Sequence, residues 1–220
     1  MKKLNPKLVI FDMDGTMLDT EPLSHDGMVA AASEQGYKLP EGFFELMVGR
    51  NRAHARRLVL EMVGPDYDFD RGMAAHRAYI FDYIEKHGAP IKKGLMELLA
   101  KLEEMGVKKC VATSTDKEMA THKLNCAGIT HRFEVIVGGD DVAESKPNPE
   151  IFLKAAAFCG TVPGDCLILE DSPAGGMGAF NAGIPFILIP DWVALPEDVL
   201  RKAAFVCKDL FEVAELIGPD

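Results

Sequence analysis

The sequence has little of what marks secreted, membrane-spanning or nucleic-acid-binding proteins. Its five cysteines form no CxxC pair and are odd in number, which argues against a disulfide framework and favours buried, reduced thiols in a cytoplasmic protein. No apolar run approaches the ~20 residues of a membrane span, and the first six residues contain no apolar core of a signal peptide. Only 24 basic residues stand against 34 acidic ones, so nucleic acid and anionic membranes are disfavoured as main partners.

What the sequence does contain is enough apolar side chain for a core, since 48% of its 220 residues are hydrophobic. From about residue 91 onward, short apolar strands alternate with helices that often end at glycine. This alternation predicts an α/β fold: a doubly wound, Rossmann-like parallel sheet with right-handed crossovers. The predicted strands are residues 8–11, 109–113, 133–137, 166–169 and 185–189.

Residues 20–88 break this alternation because they carry helical patterns only. We therefore predict a small α-helical cap domain over residues 20–88, inserted into a core domain made of residues 1–19 and 89–220. The natural hinges of such an insertion lie near Thr20 and near Pro90.

Two carboxylates follow the first predicted strand directly. Asp12 and Asp14 lie two positions apart, so their side chains share one face of an extended chain, and Gly15 lets the chain turn immediately afterwards. Acids at the end of a buried strand cost desolvation energy unless a cation or a reaction needs them. This pair therefore predicts metal-assisted carboxylate chemistry.

Polar residues also follow the later strands. Thr113 and Ser114 lead into a helix N-terminus, which is a ready anion site. Lys146 stands in a proline-stiffened loop, and Glu170 and Asp171 follow the fourth strand. Because ligands of open α/β sheets bind at the carboxyl ends of the strands, we expect these groups to meet. Carboxylates suit Mg²⁺, and a lysine with N–H groups can neutralise a phosphoryl group while an aspartate attacks phosphorus.

Four segments together resemble the haloacid-dehalogenase-like hydrolases, in the branch that contains β-phosphoglucomutase and small-metabolite phosphatases. They are residues 11–16 (FDMDGT), 112–114 (ATS), 146–149 (KPNP) and 170–175 (EDSPAG). The resemblance covers essentially the whole chain, including the helical insertion, which looks like the small cap of that branch.

The resemblance implies that Asp12 is the nucleophile and Asp14 the general acid and base. It also implies that Mg²⁺ is held by Asp12, the backbone carbonyl of Asp14 and Asp171, with Glu170 nearby or coordinating. Haloacid dehalogenases proper lack the second aspartate, and a departing halide needs no proton, whereas an alkoxide does. Asp14 therefore argues against dehalogenation.

The resemblance further implies that Thr113 and Lys146 bind the phosphoryl group, together with the backbone N–H of Ser114. In the cap, Arg50 and Arg52 look like part of the substrate loop of this branch. Solvated arginines at a helix start are an equally good interpretation of that pair.

Two departures from the family pattern favour a phosphatase over a phosphomutase. β-Phosphoglucomutase-like proteins carry a histidine twelve residues after the nucleophile, where this chain has Ser24, and the neighbouring His25 points about 100° away on a helix. The mutases also carry a lysine before the cap-loop glycine, where this chain has Val48. The later stretch of residues 187–191 is similar to pseudouridine-5′-phosphatase-like members of the branch.

We therefore expect an Mg²⁺-dependent phosphatase of a small phosphorylated metabolite, either a sugar phosphate or a nucleotide-like compound, that works through an aspartyl-phosphate. We expect no nucleic-acid or membrane partner and a monomer, with an oligomer left open. One alternative is a β-phosphoglucomutase-like phosphomutase. Another is a signalling receiver module, which also carries a phosphorylatable aspartate, a Ser/Thr and a lysine, although its acidic pair precedes the nucleophile strand and it needs no helical insertion.

Overall fold

The structure is a computed structural model that describes residues 3–47 and 52–218. Within these residues there are six β-strands and ten α-helices. The strands are β1 (Leu8–Phe11), β2 (Lys108–Ala112), β3 (Ile136–Val137), β4 (Cys166–Glu170), β5 (Phe186–Leu188) and β6 (Phe205–Val206). The helices are α1 (Glu21–Ser33), α2 (Phe43–Met47), α3 (Arg52–Met62), α4 (Phe69–His87), α5 (Leu95–Glu104), α6 (Lys117–Cys126), α7 (Glu150–Phe158), α8 (Pro173–Asn181), α9 (Glu197–Leu200) and α10 (Leu210–Leu216).

The six strands form one sheet in the order β3-β2-β1-β4-β5-β6, and all neighbouring pairs are parallel. The chain runs outward from β1 through β2 to β3, and then returns to place β4 on the other side of β1. Phe11, the last residue of β1, is therefore in register with Val111 of β2 and Leu169 of β4. The predicted doubly wound parallel α/β fold is confirmed, and β1 is its topological switch point.

The sheet is apolar on both of its faces because helices cover both, so its strands are nearly continuous hydrophobic runs. All four residues of β1 and all five of β4 are buried. Helix α5 contributes a stripe of four buried leucines at helical spacing, Leu95, Leu98, Leu99 and Leu102. The five cysteines are free thiols, and four of them are buried.

The chain separates into two compact units. One comprises the described residues of Met1–Asp19 and Pro90–Asp220 and contains the whole sheet. The other, Thr20–Ala89, contains α1 to α4. This helical unit has an apolar cluster of its own, which includes Ala32, Phe43, Val59 and Phe69.

Some elements differ from the predicted ones. Of the strand predicted at residues 133–137, only Ile136 and Val137 form β3. The N–H of Glu134 and the carbonyl of Val135 also bond to Lys109 and Val111 of β2, and a 3₁₀ turn at Thr130–Arg132 comes before this segment. The strand β6 had no predicted counterpart, since a two-residue edge strand is too short to show a hydrophobic period. The helices α9 and α10 were not predicted either. In the described part of the chain, no helix combines the length and apolar character needed to cross a membrane.

Candidate active site

The turn after β1 places two carboxylates at the carboxyl edge of the sheet. The backbone N–H of Asp12 donates to the carbonyl of Leu169 (2.9 Å), which extends the pairing with β4 by one residue. The chain then turns tightly at Gly15, whose φ is +84°. A Cβ at Gly15 would lie 2.3 Å from Asp171 Oδ2, so this position requires glycine both for its backbone conformation and for space.

Lys146 lies buried between the ends of three strands. Its ammonium donates to Asp12 Oδ1 (2.5 Å), to Glu170 Oε1 (2.7 Å) and to the carbonyl of Ala112 (3.1 Å). These acceptors belong to the ends of β1, β4 and β2, so all three ammonium protons have a partner. Lys146 thus links Asp12, the candidate nucleophile, to Glu170, another of the predicted site residues.

Glu170 is fully buried, and both of its carboxyl oxygens accept hydrogen bonds from groups of the protein. Oε1 accepts from Lys146, and Oε2 accepts from the N–H of Asp171 (2.9 Å) and from the N–H and hydroxyl of Ser172 (2.9 and 3.0 Å). This arrangement makes Glu170 a residue that positions Lys146 and the start of α8.

The electrostatics of this cluster are those of crowded, buried acids. Burial is the largest effect on Asp12, and with repulsion from Glu170 and Asp14 it raises the pKa of the Asp12 carboxyl to about 8, despite the opposing attraction of Lys146. Burial also acts to lower the pKa of Lys146, but Asp12 and Glu170 outweigh it and hold that pKa above its usual value. The lysine therefore stays charged, while further positive charge near Asp12 would favour its ionised form.

The segment between β2 and α6 brings hydroxyl and N–H groups to the same edge. Thr113 is buried, and its Oγ1 accepts from the N–H of Thr115 (3.1 Å). Its hydroxyl proton meets no acceptor in the described part of the chain, so it is available to a ligand. Ser114 is exposed, and its N–H has no hydrogen-bond partner among residues 3–47 and 52–218. Asp116 caps α6 by accepting from the N–H of Met119 (3.0 Å).

Asp14 is held by two donors from this same segment. Thr115 Oγ1 donates to Asp14 Oδ2 (2.7 Å), and Lys123 Nζ donates to Asp14 Oδ1 (2.6 Å). Sequence reasoning missed Lys123. A signal was present, because Lys123 occupies a helical position in line with the buried Met119 and Ala120, where an apolar residue is the rule.

Asp171 lies beside the first acidic turn. Its Oδ1 accepts from the buried hydroxyl of Thr16 (3.0 Å), and its Oδ2 approaches Gly15. Asp171 and Asp12 follow the neighbouring strands β4 and β1. Two carboxylates from adjacent strand ends form a donor set of the kind that Mg²⁺ takes in proteins.

The candidate cap residues are less fully described. Arg50, with Val48, and the side chain of Arg52 lie outside the described residues. Within the helical unit, Ser24 Oγ and His76 Nε2 are 3.1 Å apart. His25 instead contacts Asp26 (3.1 Å) and meets the ring of Phe44 edge-on, so its side chain does not occupy the place of Ser24.

The sequence is similar to proteins that are already known. The model of the haloacid dehalogenase-like hydrolase family matches residues 9–189. The phosphorylated carbohydrates phosphatase of Thermotoga maritima is 30% identical over 179 residues, which cover 80% of this chain and 81% of that protein.

Two solved structures share the fold. CbbY from Rhodobacter sphaeroides, in complex with phosphate, has a TM-score of 0.82 at 22% identity and covers 94% of this chain and 96% of its own. β-Phosphoglucomutase from Clostridium difficile has a TM-score of 0.78 at 23% identity and covers 97% of this chain and 93% of its own. At these identities the two structures support the fold alone.

Proposed function

The chain belongs to the haloacid dehalogenase-like hydrolase family and is a phosphoric monoester hydrolase, and on that premise we propose that it hydrolyses a small phosphorylated metabolite through an aspartyl-phosphate on Asp12. The observation that carries the proposal is the contact of Lys146 with both Asp12 and Glu170 at the ends of three adjacent strands. Such a cluster binds and activates a group that develops negative charge.

Asp12 suits the role of nucleophile because only one of its oxygens is engaged. Lys146 binds Oδ1, whereas Oδ2 has no hydrogen-bond partner in the described part of the chain. We propose that Oδ2 attacks phosphorus while the bond from phosphorus to the ester oxygen breaks. Holding the carboxylate through Oδ1 orients Oδ2, which lowers the entropic part of the barrier.

Asp14 suits the role of proton carrier because it lies two residues from Asp12 and is half-buried. In the first step it would give its proton to the departing ester oxygen. In the second step it would take a proton from water as the water oxygen attacks phosphorus and the bond to Asp12 breaks, which releases inorganic phosphate. The same residue thereby serves as acid and then as base.

The phosphoryl oxygens would meet one positive charge and two hydrogen-bond donors. Lys146 supplies positive charge, the Thr113 hydroxyl has a free proton, and the Ser114 N–H is unoccupied among the described residues. Phosphoryl transfer depends chiefly on positioning and charge stabilisation of this kind.

The residues present fit a magnesium ion. At this edge four carboxylates (Asp12, Asp14, Glu170 and Asp171) accompany two ammonium groups (Lys123 and Lys146), so a cation would balance an excess of negative charge there. Asp12, Asp171 and the carbonyl of Asp14 would hold the ion, because the oxygens of Glu170 are already used. Bound Mg²⁺ would supply charge that neutralises phosphoryl oxygens.

The decisive experiment is phosphate release from a panel of sugar phosphates, glycerol phosphates and nucleotides by the wild type and Asp12→Asn. We expect hydrolysis with Mg²⁺ and its loss on adding EDTA. Asp12→Asn should lower kcat by at least about 10³-fold, because the nucleophile is gone, while circular dichroism stays unchanged. Asp165→Asn, which breaks an exposed pair with Lys7, is the matched control and should keep full activity.

Three results would contradict the proposal. Substantial hydrolysis by purified Asp12→Asn would remove Asp12 as nucleophile. With β-glucose 1-phosphate and a bisphosphate primer, an isomerised sugar phosphate in place of free phosphate would identify a phosphomutase. A long-lived aspartyl-phosphate without turnover would identify a receiver-like module.

A further inference from the structure

Lys123 is a buried cation on a helix face that is otherwise apolar. Its side chain is 7% exposed, and Met119, Ala120 and Leu124 form the rest of the buried face of α6. Removing an ammonium group from water is unfavourable unless a partner compensates. Asp14 Oδ1, at 2.6 Å, is the one hydrogen-bond partner that the described chain offers to Lys123 Nζ.

Lys123 and Thr115 together fix the plane of the Asp14 carboxyl group. Thr115 donates to Oδ2 and Lys123 to Oδ1, so each oxygen has its own donor. Both donors come from the segment that leads from β2 through α6, whereas Asp14 lies on the turn after β1. A carboxyl group held at both oxygens cannot rotate about its terminal bond without breaking a hydrogen bond.

Core packing gives no reason for a lysine at position 123. Replacing a buried ion pair by well-packed apolar groups is often neutral or stabilising, and methionine or leucine would continue the apolar face of α6. What a lysine adds at this position is a directed, charged hydrogen bond to Asp14.

We propose that Lys123 is a positioning residue that holds Asp14 for proton transfer, an inference that rests on the proposed function of Asp14. Loss of Lys123 should then matter most where the leaving group needs a proton. An alkyl phosphate releases a basic alkoxide, which requires an acid, whereas p-nitrophenyl phosphate releases a stable phenolate, which does not.

The test uses Lys123→Met in the full chain and follows Asp12 phosphorylation in single-turnover rapid-quench experiments. The substrates are p-nitrophenyl phosphate and the alkyl phosphate of the panel that the wild type hydrolyses fastest. We expect a loss of about 10²-fold or more with the alkyl phosphate and less than about 10-fold with the aryl ester, at little change in KM. Lys123→Arg should recover part of the loss, because it restores a charged donor.

Two controls separate positioning from general damage. Lys117→Met, on the same helix, removes a half-exposed lysine that pairs with Asp141 (3.3 Å), and it should leave both rates unchanged. In an Asp14→Asn background, Lys123→Met should cause no further loss, because its effect passes through Asp14. Should Lys123→Met fail to fold, Lys123→Gln is measured under the same criteria.

Equal losses on both substrates, or a full additional loss in the Asp14→Asn background, would overturn the inference while leaving the proposed function in place. A wild type that hydrolyses no alkyl phosphate of the panel would overturn the proposed function and this inference together.

Discussion

At the scale of single residues, Gly175 shows how closely the acidic cluster is packed. A Cβ at this position would lie 1.7 Å from Glu170 Oε1 and 1.9 Å from its carboxyl carbon. Gly175 also donates its N–H to Ser172 Oγ (3.0 Å), the N-cap of α8. The helix can begin this close to the end of β4 only because no side chain stands there.

Gly175→Ala should therefore disturb both stability and activity. The added methyl group must push Glu170 aside, and such overpacking costs about 1–3 kcal/mol. Phosphate release should fall as well, because Glu170 is one of the three acceptors that hold Lys146. Urea denaturation and phosphate release measure the two effects.

The matched control is Gly164→Ala, where a Cβ would meet nothing within 4 Å. We expect it to change stability by no more than about 0.5 kcal/mol. Wild-type stability and activity in Gly175→Ala would show that Glu170 has room to move and does not hold Lys146.

Single residues also show how far the site could be predicted. Asp12, Asp14, Lys146 and Asp171 were predicted because each adjoins an element that the hydrophobic pattern indicates, and the structure brings them to one edge. Their catalytic and metal-binding roles remain predictions. Lys123 was not singled out, since its partner is 109 residues away in sequence.

At the scale of elements, Glu103 joins α5 to two other parts of the core. Arg132, in the turn before β3, donates to both of its oxygens (2.8 and 2.6 Å), and Lys109 of β2 lies 3.4 Å away. The hydrogen bonds from Arg132, with further attraction from Lys109, lower the pKa of Glu103 to about 2. A two-pronged contact of this kind favours one orientation of the turn.

Glu103→Gln should lower stability at pH 7 and lose this effect in acid. The folded pKa of about 2 lies below the ordinary glutamate pKa of 4.5, so the contribution is complete above about pH 4.5 and is lost as pH falls towards 2. Because the Glu103 side chain is 42% exposed, water screens the pair, and we expect only about 0.2–1 kcal/mol at pH 7. Urea denaturation at pH 7 and pH 4 measures how far the difference in unfolding free energy between wild type and variant narrows in acid.

Glu97→Gln on the same helix is the control, since Glu97 is exposed and has no ion-pair partner among the described residues. It should behave as the wild type at both pH values. A Glu103→Gln deficit that stays constant or grows towards pH 4 would contradict the assignment of this ion pair.

At the scale of the whole molecule, the groups assigned to phosphoryl transfer all come from the unit that contains the sheet. The chain leaves this unit and returns to it at nearly the same point. The N–H of Asp19 donates to the carbonyl of Pro90 (2.9 Å), and Leu18 pairs with Ile91 in an antiparallel bridge. The predicted role of residues 20–88 as a cap that selects the substrate remains a proposal.

Replacing residues 21–88 by a short Gly/Ser linker should leave a folded core. The ends already meet, so closing the loop costs little entropy, and the remaining unit keeps its own apolar cluster. We expect cooperative urea unfolding and retained Asp12 phosphorylation by p-nitrophenyl phosphate, but loss of preference within the sugar phosphate panel. Non-cooperative unfolding, or an unchanged substrate preference, would contradict the division of roles.

The sequence by itself determined the class of fold and the residues that stand at the strand ends. Both follow from local patterns: the hydrophobic period distinguishes strand from helix, and the right-handed crossover then allows few sheet orders. The short edge strand β6 could not be predicted, because two residues show no period.

Only the tertiary structure decided which of those residues touch. That Lys146 bridges Asp12 and Glu170, and that Lys123 reaches Asp14, depends on β2 and β4 lying on either side of β1. These contacts join residues 24 to 134 positions apart. Hydrophobic period is a property of a short segment, whereas such pairs form only when the sheet is assembled.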